Sequence, residues 1–269
     1  MSNGIATELV NDIAWVVRID RPQRRNALGG PTWTALRDAI LAAPSSARAV
    51  VITGSDKVFS AGMDLKPDNP LLMEVAQAIG SRDADALQAI IHMLKGCLAP
   101  LREAGTPTIA AIEGACLGGG LEIALHCDVR IASDTAILSM PEPRLGFVAD
   151  IGGTTLLRRL IGPGRASWLI TSGRRIDADT AERWGLIEQR CTAGAALQAA
   201  LALVTDMAKG APVATRASLS LLRGEAEAIE EALQAETAAG VDALLAGEVM
   251  EAVQARMEGR AAAWVPSAG

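Results

Sequence analysis

Apolar positions along this chain change period several times, and each change marks an element. Ala14 to Ile19 alternate and carry β-branched side chains, the pattern of a strand, and Arg48 to Thr53 repeat it up to Gly54. Thr106 to Ile112 ends in the unbroken apolar run Ile109, Ala110, Ala111, Ile112, which predicts a strand buried on both faces. Val129 to Ser133 and Ala136 to Met140 are short strands about the turn at Ser133 and Asp134, and Ile187 to Arg190 is the last strand. Helical spacing fills the intervals. Pro31 opens a helix of about ten residues after Gly29 and Gly30. Residues 67–105 turn from irregular to helical after P-D-N-P, and are placed to form a wall or lid. A helix runs through Leu160, followed by shorter ones over Gly162 to Thr171 and Ala178 to Trp184. Beyond Thr192 the chain is almost wholly helical, with breaks at Gly210, Gly224 and near Gly240. Strands with crossover helices come first and helices alone come last, so an α/β core over residues 1–191 and a helical region over 192–269 are expected.

One helix breaks the usual amphipathic rule. Gly114 to Asp128 reads G-A-C-L-G-G-G-L-E-I-A-L-H-C-D, a strand-to-helix junction with three glycines and then a helix apolar nearly all round. Without Cβ atoms the glycines let another molecule approach the backbone. The first helical N–H groups have no intrahelical acceptor and suit a developing negative charge. Glu122 is the lone carboxylate of that buried helix. A purely structural role also fits, with the glycines permitting close packing and Glu122 complementing the helix N-terminus. Two further segments invite the same question. Val58 to Lys66, V-F-S-A-G-M-D-L-K, offers backbone donors beside small side chains, or is an ordinary loop into a helix. M-P-E-P-R-L-G brackets Glu142 with prolines ahead of A-D-I-G-G-T.

Composition narrows the chemistry. Of 269 residues half are apolar, with two Phe, five Trp and no Tyr, and the formal net charge of −6 includes no long basic run. Nucleic-acid binding is therefore disfavoured. The N-terminal residues lack a secretory signal pattern and no apolar run reaches membrane-spanning length, so a soluble, cytoplasmic protein is expected. Cys97, Cys116, Cys127 and Cys191 form no C-x-x-C pair and read as reduced, buried thiols. There is no Gly-Lys dipeptide for a Walker A loop, no third glycine of a dinucleotide fingerprint and no G-x-S-x-G elbow. His92 and His126 are the only histidines, without H-E-x-x-H spacing, so no metal site is expected. His126 reads as a core or helix-end histidine.

Phe59 to Lys66, Thr106 to Glu122 and Met140 to Thr154 together resemble the crotonase (enoyl-CoA hydratase/isomerase) superfamily. The similarity runs from the R-P-Q-R-R-N-A-L loop to the helical tail, and three separate motifs in the right order make it specific. It implies a spiral of β-β-α turns with a helical C-terminal region that mediates trimers, often paired into hexamers. It implies also an acyl-CoA thioester as substrate, its carbonyl oxygen held by the backbone N–H groups of Met63 and Gly119. Glu122 and Glu142 match the two glutamates of the hydratases. CoA would meet Arg25, Ala27 and Leu28, then Ser60, Ala61, Asp64 and Leu65, with Lys66 approaching a phosphate. Where the family's last helix commonly offers an aromatic residue and a lysine, the terminal E-G-R-A-A-A-W aligns Arg256 and Gly259, so arginine would stack or pair there and the lysine charge is missing.

The resemblance leaves the reaction between two members of the family. Glu122 and Glu142 fit 2-enoyl-CoA hydration, which needs no metal or redox cofactor, CoA being part of the substrate. Asp150, eight residues after Glu142, instead resembles the dienoyl-CoA isomerases, although those place aspartate at the position of Glu122. Asp150 could equally cap the helix that follows. Hydration is the first expectation, double-bond isomerisation through Glu142 and Asp150 the second. A non-catalytic acyl-CoA-binding protein is a third reading, disfavoured because both glutamates are present.

Overall fold

The apolar alternation becomes two small sheets joined by every crossover. In the computed structural model, which describes residues 3–55, 57–223 and 226–263, β1 (Ile5–Val10) pairs antiparallel with β2 (Ala14–Ile19). β3 (Ala49–Gly54), β5 (Thr108–Ile112), β7 (Val129–Ser133) and β10 (Gln189–Cys191) continue that sheet in parallel, in the order β1-β2-β3-β5-β7-β10. The second sheet has the order β4 (Val58–Ser60), β6 (Ala115–Leu117), β8 (Ile137–Ser139), β9 (Arg175–Asp177). Each of the pairs β3-β4, β5-β6 and β7-β8 thus gives one strand to each sheet before the chain turns into helix. That repeated step is the expected spiral of β-β-α turns. β1 is not legible in the apolar pattern, because most of its side chains stay exposed or half-buried at the sheet edge.

Period-two alternation assigns the faces of the large sheet. Val17, Ile19, Val50, Ile52, Ala110 and Ile112 enter the main core, whereas Ala14, Val16, Ala49, Val51, Ile109 and Ala111 face the other way. The second face is covered by α7 (Ala196–Met207) through Ala196, Ala200 and Val204, so the first helix after residue 191 packs directly on the sheet.

The remaining helices are α1 (Gly30–Leu41), α2 (Pro70–Ser81), α3 (Ala84–Glu103), α4 (Gly119–His126), α5 (Gly153–Ser172), α6 (Ala178–Trp184), α8 (Pro212–Leu222), α9 (Ala226–Leu245) and α10 (Glu248–Glu258). α3 shows why it docks: Leu87, Ile91, Leu94, Leu98 and Leu101 recur at three- and four-residue spacing and are all buried, and the Asp83 carboxylate caps its N-terminus by accepting from Ala86 N. α5 bends at Gly162, where φ is 77°, matching the two helices expected there. One expectation fails. Gly240 does not break a helix but lies inside α9, and the chain reverses at Gly247, with φ of 80°. The break expected at Gly224 lies outside the described residues, as does Trp264.

α8 buries no residue, and Val213, Leu221 and Leu222 are 78%, 82% and 83% exposed. Among the described residues no helix is long and apolar enough to cross a membrane. Cys97, Cys116 and Cys127 are buried and free, and burial pushes all three thiols up, away from thiolate chemistry; Cys191 is half-buried.

Candidate active site

Three chain segments converge where β6 turns into α4. Gly118 adopts φ of 52° and a Cβ there would fall 2.5 Å from Glu142 Oε1, so both the backbone turn and the neighbouring carboxylate require glycine. Gly120 lets α4 lie against β4, since its Cβ would come within 2.8 Å of Ser60. Gly119, between them, starts the helix, and its N–H has no intrahelical acceptor.

The second donor comes from the loop after β4. Leu28 N donates to Gly62 O at 2.8 Å and Asp64 N donates to Leu28 O at 3.0 Å, a one-residue parallel bridge that turns the N–H of Met63 to the opposite side. A Cβ on Gly119 would lie 3.8 Å from Met63 N, and among the described residues neither N–H has an acceptor. Two free donors therefore border one space, as an oxyanion requires.

A cavity of about 80 Å³ opens there, lined by Met63, Gly119 and all three candidate carboxylates, Glu122, Glu142 and Asp150. Its apolar lining includes Trp33, Leu94 and Phe147. Leu94 belongs to α3, so the stretch expected to form a wall does reach the site.

Glu122 is 3% exposed, and its Oε1 accepts from Ile151 N at 3.1 Å and Gly153 N at 2.9 Å. Burial, then the negative charges of Glu142, Asp150 and Glu236, push its carboxyl well above the usual range, and the Gly153 N–H opposes them. Glu142 stands at the start of the 3₁₀ turn Glu142–Leu145, and among the described residues its buried Oε2 has no partner. Burial raises it to about 7, with Asp150 adding to the effect against its own N–H. Asp150 is also raised to about 7, chiefly by burial and further by Glu236, while Lys95 opposes. Such a cluster keeps at least one proton at neutral pH. Among the described residues no three His, Cys, Asp or Glu side chains are grouped to hold a metal ion.

His126 is the core histidine expected from its setting. Burial depresses it to about 4, so it is neutral; its Nε2–H donates to Ile151 O at 2.9 Å and among the described residues Nδ1 has no partner. It grips the same loop as Glu122.

Glu236 escaped the sequence reading. From α9 it accepts from Gly152 N at 2.9 Å, Thr155 N at 2.5 Å and the Thr154 hydroxyl. A signal existed: on α9 the buried positions Leu233, Glu236, Thr237, Gly240, Val241 and Leu244 follow helical spacing, and a carboxylate on that stripe poses the question that Glu122 poses on α4. Gly240 is equally specific. A Cβ there would lie 3.0 Å from Cβ and Cγ of Asp150 and closer still to its Oδ2, so the Asp150 side chain rests on bare helix backbone.

The expected CoA-contacting residues divide by burial. Ser60 Oγ donates to Asn26 O at 2.8 Å and accepts from Gly62 N. Buried Asp64 pairs with Arg21 at 3.1 Å and Arg24 at 3.7 Å. Those side chains, with buried Ala27 and Leu28, hold the loop in shape. Arg25 and Lys66 are exposed, and Ala61 and Leu65 are half-buried. Leu65 and Lys66 share a second cavity, of about 200 Å³, with Phe147 and with Arg256 and Met257 of α10. Gly259 has no such contact and ends α10 with φ of 67°.

Known proteins share the sequence pattern and the fold. A family model described as Enoyl-CoA hydratase/isomerase matches residues 10–265. The chain is 38% identical over 203 residues to a Mycobacterium leprae protein named "Probable enoyl-CoA hydratase echA8", covering 75% of this chain and 74% of that one. It is 30% identical to the mitochondrial Delta(3,5)-Delta(2,4)-dienoyl-CoA isomerase of Mus musculus, over 91% of this chain and 76% of that protein. A Thermobifida fusca YX protein assigned as an enoyl-CoA hydratase, solved in complex with acetoacetyl-CoA, superposes with a TM-score of 0.74 at 32% identity, covering 88% of this chain and 95% of the other.

Proposed function

The chain belongs to the enoyl-CoA hydratase/isomerase family, and on that premise we propose that it is a 2-enoyl-CoA hydratase. The observation that carries the proposal is the meeting of Glu122 and Glu142, from separate motifs, in one small cavity bordered by the free N–H groups of Met63 and Gly119.

The thioester carbonyl oxygen accepts from both N–H groups. A water held between the two carboxyls gives a proton to the ionised one as its oxygen bonds to Cβ, and the Cα=Cβ electron pair moves toward the thioester as an enolate. The two donors stabilise that charge, and the protonated carboxyl then delivers its proton to Cα. One water has been added and the pair again carries one proton. A coupled, buried pair suits this cycle because its two members do not ionise together at neutral pH. No metal or redox group enters the scheme, and CoA arrives with the substrate. Lys66 and Arg256, sharing the outer cavity, are positioned for the phosphates or adenine of CoA. The bare apolar residues of α8, beside a groove of about 1560 Å³ between α3, α8 and α9, support assembly into a trimer or hexamer.

A second reading, dienoyl-CoA or other double-bond isomerisation through Glu142 and Asp150, is favoured by one observation. Asp150 borders the same cavity and is raised to about 7, as a proton carrier would be. Crotonyl-CoA and a 3,5-dienoyl-CoA offered to one preparation separate the two. The expected result is rapid 3-hydroxyacyl-CoA formation that persists within about threefold in Asp150→Asn and in Gly240→Ala, which displaces the Asp150 side chain without changing its chemistry. Dienoyl isomerisation lost in both variants, with negligible hydration by the parent, makes the protein an isomerase.

A further inference from the structure

We propose that Glu236 is a positioning residue of this site, clamping from α9 the loop that carries Asp150 and placing its negative charge beside the carboxyl cluster. The kinetic consequence rests on the acid–base reading above; the placement does not.

Four of the five N–H groups of residues 151–155 are divided between two carboxylates, and the fifth, of Thr154, donates to Ala149 O at 3.2 Å. Ile151 and Gly153 donate to Glu122 on α4, whereas Gly152 and Thr155 donate to Glu236 on α9. His126 holds Ile151 from its carbonyl side, and the Thr154 hydroxyl adds a further bond to Glu236. One helical turn beyond Glu236, Gly240 opens the space in which the Asp150 side chain lies. The loop is therefore fastened on both flanks, with Asp150 at its head. Removing the Glu236 carboxylate strips two backbone donors of their acceptor while Glu122 keeps its own.

Glu236 makes ionisation harder for Glu122 and Asp150, and Glu142 adds to the repulsion at Glu122. Lys95 of α3 opposes at Asp150, its ammonium bonded to Leu233 O and, at 2.6 Å, to Thr237 Oγ1 on the same turns of α9. His126 is neutral, and Arg102 and Lys95 of α3 help to keep it so. Neutralising Glu236 leaves Lys95 less opposed, so Glu122 and Asp150 release their protons at lower pH. The proton donor is then lost earlier as pH rises. The alkaline limb of kcat/KM moves down.

Glu236→Gln keeps the shape and one acceptor oxygen but not the charge. Two readouts are followed in parent and variant: the kcat/KM pH profile on whichever of crotonyl-CoA and dienoyl-CoA is turned over, and infrared titration of buried protonated carboxyls in substrate-free protein. The expected result is an alkaline limb and an infrared midpoint both lowered by about half to one pH unit, with KM within about twofold. Glu236→Asp, retaining charge but not reach, should keep the midpoint and lose about tenfold or more in kcat. An unmoved midpoint and limb in a folded Glu236→Gln protein overturn the proposal. Should that variant fail to fold, Lys95→Gln asks the same question with opposite sign: its midpoint should rise, and an unmoved one counts against the clamp's electrostatic role. If the parent turns over neither substrate, the hydratase reading falls while the infrared midpoint still decides for or against Glu236.

Discussion

Glu122→Gln and Glu142→Gln should each lower kcat for crotonyl-CoA hydration by about 10³-fold or more, with the affinity for a non-reactive acyl-CoA unchanged within a few-fold. The geometry makes these substitutions clean. In Glu122→Gln the amide oxygen can still accept from Ile151 and Gly153, so the loop keeps its anchor and only the proton chemistry is lost. In Glu142→Gln the amide takes the place of a carboxyl whose Oε2 has no partner among the described residues, so no bond is lost at that atom. Because the two groups work on one water, the double variant should be little worse than either single one. Stopped assays of 3-hydroxyacyl-CoA formation, with calorimetric titration of the ligand, check both halves. A parent-like rate in either variant rules out the two-glutamate mechanism for this protein.

Gly119→Val should reduce kcat/KM by about 10²- to 10³-fold, the usual consequence of losing one preorganised oxyanion donor, which corresponds to roughly 3 to 4 kcal/mol of barrier. A Cβ at this position would touch the Trp33 ring at 3.4 Å, ordinary contact that costs little stability, but the branched methyl groups would crowd the space next to Met63 N where the thioester oxygen must sit. Gly120→Ala is the matched control. Its Cβ would press within 2.8 Å of the Ser60 backbone oxygen, so it should lower the thermal midpoint first and turnover only as the fold yields. Thermal melts and steady-state kinetics on both variants decide the point. Comparable stability losses in the two would mean that Gly119, like Gly120, serves packing alone.

Legibility in the sequence differed from residue to residue for identifiable reasons. Glu122 could be read because a carboxylate on an otherwise apolar eight-residue helix is anomalous among its own neighbours. Met63 could be read only through the family resemblance, since a backbone donor leaves no mark of its own in side-chain identity. Ser60 and Asp64 carried the right motif, yet their side chains turned out to be tied to Asn26 O and to Arg21 and Arg24 within the loop. Glu236 lay in an Ala-rich helix where the stripe of buried positions becomes visible only once the helix is known to dock. Gly240, taken for a break, is inside a helix because a neighbouring side chain needs its missing Cβ.

What the sequence by itself determined was therefore local: the strands β2, β3, β5, β7, β8 and β10, most of the helices, the glycines at the head of α4 and the carboxylate on it, whereas β1, β4, β6 and β9 left no readable pattern and the spiral order came only with the family resemblance. Side chains a few residues apart share a strand face or a helix face, so periods of two and 3.6 carry that information along the chain. The tertiary structure alone decided that α7 covers the second face of the sheet, that Asp150 reaches the cavity, and that the loop bearing it is held by a carboxylate 84 residues beyond Gly152. Such contacts are set by how helices dock on a shared core, and the desolvation that raises Glu142 and Asp150 to about 7 exists only once that docking has excluded water.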